Sequence, residues 1–267
     1  MTKLSMGIIG TGFVGGSVAN GFDQNVEQLI VDPKYSELTI ERCVCKSPSL
    51  IFICVPTPPA ENGDVDVSIA RTILKELDDL HYEGIVVIKS TIIPSHLQQF
   101  QRDFDLRIVY NPEFLTEANA HWDFCNPPMQ ILGGKWEDCE VVEKAYVHHS
   151  SVNVVPTFKT DIATASMLKY TINSWLATKV VFMNELRELF EASGADASWS
   201  QFTDMLSRDV RIGHSHMSVP GPDGYFGFGG HCFPKDTSAL LYYAKSLDSD
   251  MSVLEQAVTK NKEVRDD

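Results

Sequence analysis

No CxxC pair occurs in the sequence. Its six cysteines, Cys43, Cys45, Cys54, Cys125, Cys139 and Cys232, are scattered along 267 residues. That spacing argues against a disulfide framework and against a zinc site, so the thiols read as reduced and the setting as cytoplasmic. Cys43 and Cys45 are too isolated to suggest a metal site, and no metal is expected. Positive charge is scarce: 22 Lys and Arg stand against 36 Asp and Glu, a formal net charge of −14. This excludes general attraction to nucleic acid or to an anionic membrane surface, and an anionic substrate would need local donors or cations. No apolar run reaches the roughly 18 residues needed to cross a bilayer. The first residues carry one lysine and a short apolar run that ends in glycines, without the h-region of a signal peptide. Internal repeats and low-complexity segments are missing as well. The remaining composition, 43% hydrophobic and 22% charged, is that of a soluble globular protein. The length suits one large domain or two smaller ones.

The first strong pattern is a strand, a glycine turn and a helix start. Leu4–Ile9 reads as a short buried strand, and Gly10-Thr11-Gly12-Phe13-Val14-Gly15 follows at once. In the G-x-G-x-x-G fingerprint the first glycine makes the tight turn and the second admits a pyrophosphate. The third lets helix and strand pack, and the phosphates sit on the helix N-terminus. A second strand over 28–31 ends in Asp32, about 20 residues beyond the middle glycine, where a carboxylate accepts from the ribose hydroxyls and repels a 2′-phosphate. NAD is therefore favoured over NADP, although Lys34, close by, is a cation that could tolerate the extra phosphate.

Further strands follow at 50–55, 85–88, 106–110, 129–132 and 152–155, with helices at 66–80 and 136–147. Alternation of this kind predicts an α/β fold with a Rossmann-like, doubly wound parallel sheet. Prolines after a strand fix a rigid loop at its carboxyl end, the edge where open α/β sheets bind ligands. Thr57 in Val55-Pro56-Thr57-Pro58 and Thr91 in Lys89-Ser90-Thr91 occupy such loops. Glu113 and Glu117 are four apart, so a helix there would put both on one face, either as solvated groups or as acid/base groups at the cleft.

Residues 161–192 hold no proline or glycine and predict one helix of roughly 50 Å. Lys169 and Asn173 lie one turn apart on it, either facing solvent or aimed together into the cleft. Shorter helices follow at 199–206, 236–246 and 252–264. The domains read as 1–159, cofactor-binding; 160–193, a connecting helix; and 194–267, an all-helical substrate and dimerisation region. Between these last helices lies Gly227-Phe228-Gly229-Gly230-His231-Cys232-Phe233-Pro234-Lys235-Asp236. Glycines let a backbone approach a ligand closely, and a nearby cation favours the thiolate that acts as nucleophile. A cysteine beside a glycine turn is otherwise simply a buried thiol.

Together these segments, with Asn111-Pro112-Glu113-Phe114-Leu115-Thr116-Glu117, Lys169-Tyr170-Thr171-Ile172-Asn173 and Asp209-Val210-Arg211-Ile212-Gly213, resemble the UDP-glucose/GDP-mannose dehydrogenase family. They occur in the family's order over nearly the whole chain. The resemblance implies oxidation of a nucleotide sugar, UDP-glucose first among them, from primary alcohol to acid with two NAD. Cys232 would form a thiohemiacetal and then a thioester, with Lys169 and Asn173 stabilising the oxyanion. Asp236, with Thr91, would orient or deprotonate a water, and Glu113 would be the base in hydrolysis. Glu117 would sit between sugar and nicotinamide, and Lys235 would meet the cofactor alongside Gly10, Gly12, Phe13, Val14, Gly15, Asp32, Lys34 and Thr57. Phe114, Leu115, Phe226 and Gly229 would contact the substrate, and Arg211 would reach the neighbouring active site of a homodimer. Family members normally continue into a third domain that grips the UDP, and the chain ends before it; loop 217–226 is the candidate for part of that contact. The stretch between Asp32 and Ile51 is also shorter than is usual in the family. Two other readings stand beside this one: a dehydrogenase for UDP-N-acetylmannosamine or GDP-mannose, and a cofactor-binding module that needs a partner chain.

Overall fold

A computed structural model of the protein describes residues 3–22, 25–116 and 119–265. The chain packs as two compact units, Met1–Pro58 with Val65–Lys169, and Pro59–Asp64 with Tyr170–Asp267.

In the first unit, strands and helices alternate. They are β1 (Leu4–Ile9), α1 (Phe13–Gly21), β2 (Val26–Val31), α2 (Ile40–Val44), β3 (Leu50–Ile53), α3 (Ser68–Asp79), β4 (Ile85–Ile88), α4 (Pro94–Asp103), β5 (Arg107–Tyr110), α5 (Ala120–Cys125), β6 (Gln130–Gly133), α6 (Trp136–His149) and β7 (Thr157–Thr160). The sheet order is β2-β1-β3-β4-β5-β6-β7. β3 and β4 are buried along their whole length, which is why their sequences are unbroken apolar runs. Side chains alternate between the two faces. Ile51, Ile53, Val86 and Ile88 pack with Leu74, Leu77, Leu97 and Phe100 of α3 and α4. Leu50, Phe52, Ile85 and Val87 pack with Val18, Phe22, Phe124, Val142 and Tyr146 on the opposite side. Truncating one of the aromatic side chains in this second layer, such as Phe52, to alanine would cost about 3–5 kcal/mol.

Two expectations change, and one condition is not met. The sheet is not wholly parallel, since β6 runs antiparallel to β5, meeting it at Tyr110 and Gly133. The segment joining them therefore stays on the carboxyl side of the sheet, which keeps Glu113 and Phe114 there. Second, 152–155 is not a strand. Val154 is exposed, and the Ser151 and Asn153 amides donate to the Gly21 and Cys125 carbonyls. β7 begins after Pro156 and pairs with β6, so loop contacts win over the β-propensity of the valines. Third, 111–116 is irregular rather than helical. Pro112, and the Glu113 carboxylate that accepts from the Leu115 amide two residues on, divert the chain; Glu117 lies outside the described residues.

The long helix α7 (Ile162–Ala192) runs as predicted. Asp161 caps it, accepting from the Thr164 amide at 2.9 Å and hydroxyl at 2.6 Å. In the second unit α8 (Trp199–Leu206) starts on a capping box between Ser198 and Gln201. α9 (Phe233–Ser246) begins three residues before the expected 236, with Pro234 in its first turn, where a missing N–H is harmless. α10 (Ser252–Val264) closes the unit. Among the described residues, no helix is long and apolar enough to cross a membrane, and no group of three or more His, Cys, Asp or Glu could hold a metal ion.

Candidate active site

The glycine turn after β1 has the form a dinucleotide needs. Gly10 sits at φ 85°, and a Cβ there would lie 2.8 Å from the Cys54 carbonyl. A Cβ on Gly15 would run into the Gly10 carbonyl oxygen, whereas one on Gly12 would meet nothing within 4 Å. Gly12 caps α1 without any side-chain bond, and the first turn has no acidic residue. The first-turn N–H groups, which lack intrahelical partners, therefore face open space suited to an anion. Asp32 closes the other side. One of its carboxylate oxygens accepts from the Thr11 amide (2.7 Å) and hydroxyl (2.9 Å), the other from the Lys34 amide (2.9 Å). These backbone bonds hold its pKa below the ordinary carboxylate range, so it meets a ribose as an acceptor. Phe13 is exposed at the helix start, while the Lys34 ammonium lies over the Tyr35 ring, 5.1 Å from its centroid. The donor set fits NAD.

At the neighbouring strand ends the two threonine loops are tied together. The Thr57 hydroxyl donates to the Thr91 carbonyl (2.9 Å) and the Ser90 hydroxyl to the Val55 carbonyl (2.6 Å). Glu113 is buried close to this edge and bonded to Lys169. The ammonium donates to the Glu113 carbonyl at 2.6 Å and to its carboxylate at 3.2 Å. It also lies 5.2 Å from the Phe114 ring centroid. The other carboxylate oxygen accepts from the Leu115 amide at 2.6 Å. Burial pushes the Glu113 pKa up. The Lys169 charge, the Leu115 amide and the Lys89 charge outweigh it, so the carboxyl ends below its ordinary value.

Lys89, quoted above only as part of a motif, is a second buried cation here. It donates to Asn111 Oδ1 at 3.0 Å, and Tyr146 donates to the same oxygen at 2.6 Å. Burial pushes Lys89 down to about 8 and the nearby Cys54 thiol up to about 12. Only packing reveals this network, since Asn111 and Tyr146 are 35 residues apart.

The second unit holds the cysteine. Cys232 is partly exposed and forms the N-cap of α9, an end that favours negative charge. One turn later Asp236 is 1% exposed, and its amide donates to the Cys232 carbonyl at 2.8 Å. Its carboxylate accepts from Asn173 Nδ2 at 2.6 Å and from the Lys235 ammonium at 2.5 Å. Cys232, Lys235, Asp236 and Asn173 thus form one group, and Glu113, Phe114, Leu115 and Lys169 another. Lys169 and Asn173 share α7, one turn apart. Arg211 is turned to solvent and paired with Asp209 at 2.5 Å. Phe226 is half-exposed, and a Cβ on Gly229 would collide with the Arg265 guanidinium.

Comparison with known proteins bears on the family. Residues 20–150 match the sequence model of the UDP-glucose/GDP-mannose dehydrogenase family NAD binding domain, and residues 163–263 match that of its central domain. A UDP-glucose 6-dehydrogenase of Rickettsia bellii is 34% identical over 225 residues, covering 82% of this chain and 50% of the relative. A GDP-mannose 6-dehydrogenase of Pseudomonas syringae is 32% identical, covering 81% and 51%. The chain spans about half the length of these curated relatives. Among solved structures, a UDP-glucose dehydrogenase of Pyrobaculum islandicum superposes with a TM-score of 0.82 at 24% identity, over 97% of this chain and 68% of that one, a likeness of fold. The chain therefore belongs to the UDP-glucose/GDP-mannose dehydrogenase family, of which it carries the NAD-binding and central domains.

Proposed function

We propose that this chain oxidises the primary alcohol of a nucleotide sugar to the acid in two steps, with UDP-glucose as substrate. The observation that carries this reading is the group at the start of α9: a partly exposed thiol, one turn from a buried carboxylate held by an amide and an ammonium. When bound on the Gly10–Gly15 turn, NAD would accept a hydride from the sugar carbon in each of two oxidations. Cys232 sulfur attacks the aldehyde carbon left by the first oxidation and forms a thiohemiacetal. The second oxidation leaves a thioester. Water adds to it, the carbon–sulfur bond breaks, and the acid departs as the thiol is restored. Lys169 and Asn173 donate to the oxygen that gains negative charge, each worth about 3–4 kcal/mol in such a role. Asp236, with Thr91, orients or deprotonates the water. Glu113, ionised at neutral pH by the cations beside it, acts as base. By the family resemblance, Lys235 would meet the cofactor. Phe114, Leu115, Phe226 and Gly229 are proposed to contact the substrate.

Relatives that act on UDP-glucose and on GDP-mannose match at 34% and 32% identity, so GDP-mannose is the second reading, ahead of UDP-N-acetylmannosamine. A substrate panel followed by NADH absorbance separates them. We also propose a homodimer. Trp175, Phe182 and Leu189 are 65%, 59% and 66% exposed and recur every seven residues on α7, a seam fit for a second copy. Arg211, 85% exposed in its side chain, would reach the partner's substrate. The scattered thiols favour a cytoplasmic setting.

The purified chain, given UDP-glucose and NAD, is expected to form two NADH per sugar, and Cys232→Ser is expected to form no acid. Full turnover to the acid by Cys232→Ser would remove the covalent mechanism. NAD binding without turnover by the wild-type chain would favour a module completed by a partner chain.

A further inference from the structure

The glycine loop ahead of Cys232 is held by side chains from two other helices. Asn261 on α10, 8% exposed, bonds the Phe228 backbone twice: Oδ1 accepts from the amide at 2.7 Å and Nδ2 donates to the carbonyl at 2.9 Å. The pairing resembles one rung of a β-ladder, made by a side chain. Asn184 on α7, 4% exposed, accepts from the preceding amide, Gly227, at 3.1 Å. Its own amide is spent on the Val180 carbonyl at 2.8 Å, which fixes the direction in which Oδ1 points. Arg265 covers the next stretch. It pairs with Asp223 at 2.9 Å, donates to the Phe226 carbonyl at 3.5 Å and stacks over Tyr225 at 5.1 Å.

The same side chains account for two of the loop's glycines. Gly227 sits at φ 68°, and a Cβ there would run into Asn261 Oδ1. At Gly229 a Cβ would run into the Arg265 guanidinium. These glycines make room for the residues that hold the loop, in addition to any room they leave for a ligand. Phe228 in turn packs with Ala177 and Val181 of α7 and edge-on against Phe233, with ring centroids 6.2 Å apart. Phe233 is the residue after Cys232, so the Phe228 backbone and the start of α9 are mechanically linked across the cysteine.

We infer that Asn184, Asn261 and Arg265 are positioning residues that set the place of the Cys232 thiol by clamping the backbone of residues 226–229. The inference rests on the proposed role of Cys232 as nucleophile. A nucleophile misplaced by about 1 Å loses on the order of 100-fold in rate. Asn261→Ala is therefore expected to lower kcat for sugar oxidation about 100-fold, with the affinity for NAD, held on the other unit, unchanged. Asn184→Ala removes one bond of four and is expected to lose about tenfold. Hydrogen–deuterium exchange supplies a second readout that needs no activity. The Gly227 and Phe228 amides of the wild-type chain should be protected like helix amides, and Asn261→Ala should release them while the sheet of the first unit stays protected.

Wild-type kcat in a folded Asn261→Ala chain overturns the inference, as does an equal loss of kcat and NAD affinity, the mark of general destabilisation. If Asn261→Ala does not fold, wild-type exchange decides: amides at 227 and 228 that exchange like an open loop overturn the clamp, and protected ones support it. If the wild-type chain oxidises no nucleotide sugar, the functional reading fails, while exchange in the wild type and in Asn261→Ala still judges the clamp.

Discussion

Replacing Lys169 by methionine tests the buried pair at the carboxyl edge of the sheet. The Lys169 and Glu113 side chains are 3% and 8% exposed and 3.2 Å apart. Methionine fills a similar volume but leaves the Glu113 carboxylate buried with the Leu115 amide and the more distant Lys89 charge. Removing one partner of such a pair costs about 3–5 kcal/mol, because the remaining charge has lost its counter-charge and stays out of water. Adding Glu113→Gln removes the stranded charge and keeps an acceptor for the Leu115 amide. The double variant should therefore regain more than half of the loss.

The pH dependence has a definite sign. In the wild type the Glu113 pKa lies below its ordinary 4.5. Its contribution is fully present above that value and is lost as pH falls through the lower, folded pKa. In Lys169→Met the Lys169 charge and hydrogen bond are gone, so burial weighs more and the pKa moves up; the penalty is full at neutral pH and fades on acidification. Both effects narrow the gap between wild type and variant as pH drops from 7 to 4. Urea unfolding followed by circular dichroism at the two pH values measures it. A loss under about 1 kcal/mol at pH 7, or a gap that does not change with pH, would refute the account of Glu113 as a buried anion held by Lys169.

Asp32→Ala removes the acceptor for the ribose hydroxyls and should weaken NAD binding about 10- to 100-fold, the worth of bonds to a charged group. Calorimetric titration with NAD and NADP reads this directly, and an unchanged NAD affinity would mean that Asp32 faces something else. Phe182→Glu places a charge in the apolar seam of α7 and should yield monomers in sedimentation at concentrations where the wild type is dimeric. Cys54→Ala should gain on the wild type with rising pH. The folded thiol keeps its proton to about 12 while the unfolded one releases it near 9.0, so wild-type stability drains away above pH 9 at about 1.4 kcal/mol per unit. Lys89, pushed from 10.5 down to about 8, has the opposite sign between these values, but it is present in both chains and leaves the comparison. Urea midpoints at pH 8 and 10.5 should show the difference shifting by about 2 kcal/mol, and equal differences would rule the reading out.

The cofactor turn was legible in the sequence because its chemistry is local. Gly10 and Gly15 are required by contacts within a few residues or with the adjacent strand, Gly12 leaves open space at the helix start, and the acceptor at Asp32 follows at the end of the next strand. The long helix was legible for the same reason: 31 residues without a breaker, capped by Asp161 and ended at Gly194. Where neighbours compete, sequence reading lost its hold. Val152, Val154 and Val155 have strand character, yet the Ser151 and Asn153 amides of their segment are spent on carbonyls at the ends of α1 and α5. The direction of β6 depends on where the connection through α5 turns, which no periodicity records.

The sequence by itself determined which residues can do chemistry here, because a thiol, a lysine, an amide and the carboxylates are properties of side chains and of short spacings. Their states were decided only by the tertiary structure. Glu113 is held ionised because packing brings Lys169 to it from 56 residues away. Asp236 is engaged because Asn173 reaches it across 63 residues. The backbone of the loop before Cys232 is bonded by Asn184 and Asn261, over separations of 43 and 33 residues. Burial, which fixes charge and orientation, is a property of the folded chain, and a linear sequence shows it only where both partners happen to lie in the same turn or strand.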